Sequence, residues 1–147
     1  MLDFKNIPPV VKNLLIVNGL FFLATILLKN QGVDLSDYLG LHYWESDRFQ
    51  PYQLVTYMFM HGGFTHVLFN MFAVYMFGRV LEGVWGQKRF LIFYMVTGIG
   101  AGLIQLLVAH FRLMPLYDVL TPEAIEFAIS NGYDLMRGGQ GPAEMVT

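Results

Sequence analysis

Three apolar stretches, each about as long as a bilayer is thick, constrain this chain more than any other feature. They cover about residues 10–28, 64–81 and 90–109. A helix needs about 20 mainly apolar residues to cross the hydrocarbon core of a membrane. The sequence therefore predicts an all-α membrane protein with three transmembrane helices.

The composition supports a lipid environment. Of the 147 residues, 55% are hydrophobic and only 14% are charged, whereas soluble domains carry about a quarter charged residues. A soluble domain of this size could not bury so much apolar surface in one core. A net charge of −2 gives no reason to expect a nucleic-acid partner, and the absence of cysteine excludes disulfides and thiolate metal sites.

The segments between and after the apolar stretches differ in character. Residues 33–53 mix aromatic rings with charges, which suits the level of the lipid headgroups, so we predict an interfacial loop there. Residues 79–89 predict a short polar turn, with Gly83 and Gly86 as helix breakers. Residues 113–147 predict an extramembrane tail, whose one short helix begins at Thr121-Pro122-Glu123 and ends near Asn131-Gly132.

Charge predicts the orientation in the membrane. Basic residues outnumber acids before the first stretch and in the 79–89 turn, while acids prevail in the 33–53 loop and after the third stretch. Short basic segments face the cytoplasm. We therefore expect a multi-pass protein with a cytoplasmic N-terminus and its tail on the opposite side. Pro8-Pro9 interrupts the basic N-terminal region and no A-x-A-like cleavage site follows, so the first helix is predicted to be retained.

Polar residues inside the second stretch are the candidates for chemistry. His66 and Asn70 lie four residues apart, hence on one helix face, and both can donate hydrogen bonds to a single point, as an oxyanion-stabilising pair must. The alternative is that the pair only bridges neighbouring helices. His61 and His66 do not have the spacing of H-E-x-x-H and no third ligand is evident, so no metal site is predicted. Nothing in the chain requires a cofactor.

The third stretch contains a pair of glycines, Gly98 and Gly102, on one helix face. Small residues at this spacing let a neighbouring helix approach closely, and such contact drives packing in lipid. We expect a packing role, although glycine is also simply common in membrane helices. The stretch does not complete G-x-G-x-x-G, because position 103 is Leu, so a dinucleotide site has no support.

The run from His61 to Asn70 resembles the H-x-x-x-x-H-x-x-x-N signature in the second transmembrane helix of the rhomboid intramembrane serine proteases. The resemblance covers about residues 5–112, and its further matches are Tyr75 to Gly78, Glu82, Trp85-Gly86, Arg89-Phe90, Phe93-Tyr94 and the glycines between 98 and 102. It implies a partial rhomboid domain over residues 1–147, with three transmembrane helices of a six-helix bundle. The implied substrates are transmembrane proteins, and membrane lipids surround the domain.

The resemblance also implies roles for single residues. His66 and Asn70 match the residues that stabilise the oxyanion, and His61 matches a supporting histidine. Glu82 matches a structural acid near the cytoplasmic end of the second helix. Gly62 and Gly63 are expected to allow the bend that enters that helix.

The sequence departs from the family in one important way. The family's nucleophile is a serine in a G-x-S-G motif and its base is a histidine on the sixth helix, but Ser36, Ser46 and Ser130 do not lie in such a motif. We expect the N-terminal half of a rhomboid protease, which is inactive without its missing C-terminal half. The alternatives are a non-proteolytic rhomboid-like protein that binds transmembrane clients and a plain packing subunit.

Overall fold

The computed structural model describes residues 6–136, and the described part is all-α. Three long helices dominate it: α1 (Pro9–Lys29), α4 (Phe64–Trp85) and α5 (Gln87–Tyr117). All three are long and apolar enough to cross a membrane. Between α1 and α4 lie the short helices α2 (Ser36–Leu39) and α3 (Gln53–Thr56) and a 3-10 turn (Tyr57–Phe59), and α6 (Pro122–Met136) follows α5. The prediction of an all-α membrane protein with three spans is confirmed.

An acid from α4 completes the first turn of α1. Pro9 has no N–H group, and the N–H of Lys12 donates to the carbonyl of Pro8. The two N–H groups that remain, those of Val10 and Val11, donate to the two carboxylate oxygens of Glu82 at 3.0 and 2.8 Å. The Glu82 side chain is only 4% exposed. One buried carboxylate thus joins the end of α4 to the start of α1.

Helices α1 and α4 approach each other closely at Gly78. A Cβ atom there would lie 2.8 Å from Cγ2 of Val11 and 3.1 Å from the ring of Phe90. Val11 and Phe90 form the buried core of the described bundle together with Leu14. Gly78 is therefore the position where the absence of a side chain lets three helices meet.

We expect Gly78→Ala to lower the free energy of unfolding by about 1–3 kcal/mol, because the added methyl group overpacks the contact with Val11 and Phe90. Gly83→Ala is the matched control on the same helix, since a Cβ atom at Gly83 meets nothing within 4 Å. It should raise stability by about 0.5–1 kcal/mol, as for any Gly to Ala exchange inside a helix. Thermal unfolding in detergent, followed by circular dichroism, measures both; equal effects of the two variants would contradict the proposed close approach.

Several predicted boundaries need correction. Gly83 does not break α4, which continues to Trp85; only Gly86, with φ +80°, separates it from α5. The polar residues 87–89 form the first helical turn of α5 and do not belong to the predicted connecting segment. Polar residues at the level of the lipid headgroups can be helical. At the other end, α5 continues to Tyr117, well past the predicted residue 109. Helix α6 likewise runs past Gly132 to Met136. The predicted loop-like segment from 138 to 147 lies outside the described residues.

The segment between α1 and α4 is held together by one buried glutamine. The side-chain amide of Gln53 donates to the carbonyls of Tyr38 and Arg48 at 3.2 and 2.9 Å, and its oxygen accepts from the N–H groups of His42 and Gln50. The N–H of Ser36, the first residue of α2, donates to the carboxylate of Asp34 at 2.9 Å. The predicted interfacial loop is therefore an ordered platform.

This platform is attached to α5 through aromatic residues. The hydroxyl of Tyr43 lies 2.8 Å from Nδ1 of His110, and the ring of Trp44 packs against the His110 ring with centroids 5.1 Å apart. The Tyr117 hydroxyl donates to the Glu45 carboxylate at 2.6 Å, which raises the pKa of Tyr117 to about 12. His110 and Glu45 thus fix the loop above the end of α5.

Candidate functional site

His61 lies at the entrance to α4 and is fixed by two hydrogen bonds. Its Nδ1 is 3.1 Å from the carbonyl of Phe59, and its Nε2 is 3.0 Å from the amide nitrogen of Asn70. A carbonyl oxygen can only accept, so Nδ1 carries the proton and Nε2 accepts a hydrogen bond from Asn70. The side chain is 6% exposed. His61 therefore determines which way the Asn70 amide points.

His66 and Asn70 stand on the first turns of α4, one helical turn apart. The His66 ring meets the His61 ring edge-on, with centroids 5.3 Å apart. His66 is exposed and Asn70 is half-buried on the surface of the described bundle. The structure therefore brings the three predicted site residues into one cluster. The amide nitrogen of Asn70 directs one N–H group to His61 and carries a second N–H group.

Gly98 and Gly102 support this cluster from α5. The Tyr57 hydroxyl donates to the Gly98 carbonyl at 2.5 Å, and a Cβ atom at Gly102 would lie 2.9 Å from the Tyr57 ring. A Cβ atom at Gly98 would overlap the side chain of Met58. The predicted neighbour was a helix, but the structure places the 3-10 turn against these glycines. That turn ends at Phe59, whose carbonyl holds His61.

Sequence reasoning missed Tyr57. The available signal was a tyrosine shortly before His61 in an otherwise apolar run, and a tyrosine hydroxyl buried among apolar residues usually has a hydrogen-bond partner. Its partner, Gly98, could not be identified because it is 41 residues away.

Gly62 and Gly63 do not behave as predicted. Neither has a positive φ in the structure, and Gly63 has an extended backbone that any residue can adopt. A Cβ atom at either position would meet nothing within 4 Å. The bend before α4 does not need glycine for its backbone conformation.

Glu82 lies away from the cluster. Twelve residues of helix separate it from Asn70, which corresponds to about 18 Å along α4. Its carboxylate is fully used by the first turn of α1, as described above. Among the residues from 6 to 136, no three His, Asp or Glu side chains are grouped so that they could hold a metal ion.

The environment of His61 favours the neutral imidazole. Burial lowers the pKa of His61 below its usual value of 6.5, and the nearby His66 lowers this pKa further, while the Phe59 carbonyl opposes the change. Protonation would also turn Nε2–H towards the N–H group of Asn70, so that two donors would face each other. The cluster is therefore complete only when His61 is neutral.

This depressed pKa predicts how stability depends on pH. Because the unfolded chain binds a proton at His61 more readily than the folded chain, stability is fully present above pH 6.5 and falls as the pH drops through the folded pKa. We expect a lower melting temperature at about pH 5 than at about pH 8. The variant His61→Gln should show a smaller difference, because it lacks the imidazole whose pKa is lowered by burial. An unchanged pH dependence in His61→Gln would contradict the assignment.

The helices and the polar cluster define a multi-pass, all-α membrane protein with a hydrogen-bonded histidine and asparagine at the entrance of its second span. The model of the Rhomboid domain matches residues 48–115, which include the whole cluster. The putative rhomboid protease YdcA of Bacillus subtilis (strain 168) is 42% identical over a region covering 33% of this chain and 24% of that protein. Rhomboid-like protein 11, chloroplastic, of Arabidopsis thaliana is 32% identical over 62% of this chain and 34% of its own length.

The Rhomboid domain match and these relatives support a member of the rhomboid family. RHOMBOID-like protein 6, mitochondrial, of Arabidopsis thaliana is a further relative, 34% identical over 40% of this chain and 19% of that protein. The chain thus spans about a quarter to a third of the length of the first two relatives. No solved structure gives a significant match.

Proposed function

We propose that His66 and Asn70 form the oxyanion-binding part of a rhomboid-type intramembrane serine protease. The observation that carries the proposal is the 3.0 Å contact between Nε2 of His61 and the amide nitrogen of Asn70. This contact holds the Asn70 side chain so that its NH₂ group, and not its oxygen, faces His61. The NH₂ group is therefore a donor of fixed orientation. A donor held before the reaction begins is what electrostatic stabilisation of an oxyanion requires.

The proposed reaction is the hydrolysis of a peptide bond in a membrane protein. A serine hydroxyl adds to the scissile carbonyl carbon, its proton passes to a histidine base, and the carbonyl electron pair moves onto oxygen. Asn70 and His66 donate hydrogen bonds to this negative oxygen. The intermediate collapses as the base returns the proton to the leaving amine, and water then hydrolyses the acyl-enzyme.

The nucleophile and the base of this reaction are proposed to lie outside these 147 residues. The sequence contains three serines, at positions 36, 46 and 130, and none lies in a G-x-S-G motif. These residues would belong to the same polypeptide or to a complementary chain that supplies the C-terminal half of the domain. The proposed orientation has the N-terminus and the α4–α5 turn in the cytoplasm, as the distribution of Lys and Arg favours.

A fluorophosphonate probe, which reacts covalently with activated serines, tests the proposal. Native membranes are treated with the probe, and the protein is isolated with an antibody against residues 113–147. Its intact mass is then measured by mass spectrometry. We expect the probe on a serine outside the present sequence, in a polypeptide heavier than 16.8 kDa or in a chain bound to it. Probe on Ser36, Ser46 or Ser130 would contradict the assignment of the nucleophile.

A non-proteolytic rhomboid-like protein that binds transmembrane clients is the second candidate. It is suggested by relatives whose names say rhomboid-like protein and do not say protease. It predicts that no probe is attached to the isolated protein and that a transmembrane client copurifies with it. Substitution of His66 and Asn70 should then weaken client capture if the cluster is the binding site, and should have no effect if the chain is a plain packing subunit.

A further inference from the structure

A shallow apolar groove opens on the surface of the bundle at the α4–α5 turn. It has a volume of about 430 Å³ and is lined by Trp85 at the end of α4 and by Arg89, Ile92, Phe93 and Val96 on α5. The rings of Trp85 and Phe93 meet edge-on, with centroids 5.1 Å apart. The α5 residues recur at steps of three and four, so they form one stripe along the helix.

The stripe has a charged end and an apolar end. From Arg89 to Val96 the helix rises by about 10 Å, which leads from the headgroup level into the hydrocarbon region. Ile92 and Val96 are 52% and 63% exposed, and Trp85 is 40% exposed. Tryptophan at a helix end is typical of the membrane–water interface. The groove therefore has the cation of Arg89 at headgroup level and an apolar surface that continues from it towards Val96.

The cations at this end of the bundle have no acidic partner among the described residues. The two ion pairs of the described part, Lys29–Asp34 and Arg48–Asp37, both lie at the opposite end. Glu82 is the only acid of the described residues near the turn, and its carboxylate is buried against Val10 and Val11. Lys88 and Arg89 are exposed beside each other at the start of α5. Within residues 6–136, no acidic side chain pairs with Lys88 or Arg89.

We infer that this groove binds a phospholipid with an anionic headgroup. The phosphate contacts Arg89 and Lys88, the indole N–H of Trp85 can donate to the headgroup or ester region, and an acyl chain lies along Ile92, Phe93 and Val96. Charge complementarity commits the site to an anionic lipid and not to a zwitterionic one. Basic pockets between transmembrane helices bind anionic headgroups in this way. This inference does not depend on the proposed proteolytic function.

Tryptophan fluorescence can test the site directly, because the chain has only two tryptophans. The variant Trp44→Phe, with Trp85 as its reporter, is reconstituted in phosphatidylcholine vesicles that contain a small fraction of phosphatidylglycerol with brominated acyl chains. We expect quenching to correspond to about fivefold enrichment of phosphatidylglycerol at the groove, relative to brominated phosphatidylcholine at the same fraction. Arg89→Gln in this background should remove most of that difference.

Two controls separate the groove from general attraction of anionic lipid. Lys12→Gln removes an exposed cation at the same end that does not line the groove, and it should retain most of the enrichment. The variant Trp85→Phe reports from Trp44 at the opposite end and should be quenched equally by both lipids. Equal quenching of Trp85 by the two lipids, or unchanged enrichment in Arg89→Gln, would overturn the inference.

Native mass spectrometry of the unmodified chain provides a second measurement that needs no variant. The chain in detergent is mixed with equal amounts of phosphatidylglycerol and phosphatidylcholine that have the same acyl chains. We expect phosphatidylglycerol adducts to dominate by about the same fivefold ratio. Equal adducts would overturn the inference even if a tryptophan variant failed to fold.

Discussion

Replacing Glu82 by Gln should lower the free energy of unfolding by about 3–5 kcal/mol. The carboxylate accepts from the N–H groups of Val10 and Val11, and each hydrogen bond to a charged group contributes about 1.5–3 kcal/mol. An amide side chain has only one acceptor atom, so one N–H group of α1 would face an N–H₂ group in a buried site. The negative charge that favours the positive end of the α1 dipole is also lost.

The measurement is thermal or denaturant unfolding of the purified chain in detergent. Glu126→Gln is the matched control, because Glu126 is an exposed acid on α6 and its loss changes the net charge by the same amount. The control should differ from the parent by less than about 0.5 kcal/mol. Similar stability of the two variants would show that Glu82 does not join α1 to α4 as described.

Asn70→Ala should slow the proposed reaction by about 10²-fold. This is the lower end of what the loss of one oxyanion donor costs, because His66 would still donate to the oxyanion. His66→Ala should slow the reaction in the same direction. The measurement is the rate of fluorophosphonate labelling and of transmembrane-substrate cleavage by the intact protein from its native membranes.

A stability measurement separates this role from a structural one. Asn70→Ala also leaves the Nε2 atom of His61 without its donor, which costs about 1–3 kcal/mol of stability. His66→Ala breaks no hydrogen bond of the described structure and should melt close to the parent. Asn13→Ala, at an exposed asparagine of α1, is the control that should change neither rate nor stability. Parent-like rates in both site variants would remove the catalytic role assigned to them.

The spans could be predicted from sequence because hydropathy is a local property. Each apolar stretch contains its own evidence, and the predicted start of the second span at residue 64 agrees with the start of α4 at Phe64. The ends were less accurate for a physical reason: headgroup-level residues such as Lys88 and Arg89 are polar and helical at once. Polarity marks the membrane boundary, whereas the helix ends where its backbone hydrogen bonds end.

The site was only partly accessible from sequence. The spacing of four residues placed His66 and Asn70 on one face, since helix periodicity is regular. The bond between His61 and Asn70 could not be derived in this way, because His61 lies outside the helix and its position depends on the 3-10 turn. That turn is held by Tyr57 against Gly98, a contact between residues far apart in the chain. Long-range contacts of this kind are set by the packing of whole helices.

The bonds between Glu82 and α1 also have a consequence for the order of assembly during synthesis. The N–H groups of Val10 and Val11 emerge first, and their acceptor is made 72 and 71 residues later. At typical rates of synthesis this corresponds to a delay of about 4–14 s. During this interval α1 can be in the membrane with its first turn incomplete. The first span therefore reaches its final state only when α4 has been inserted beside it, so that the two helices mature as a pair.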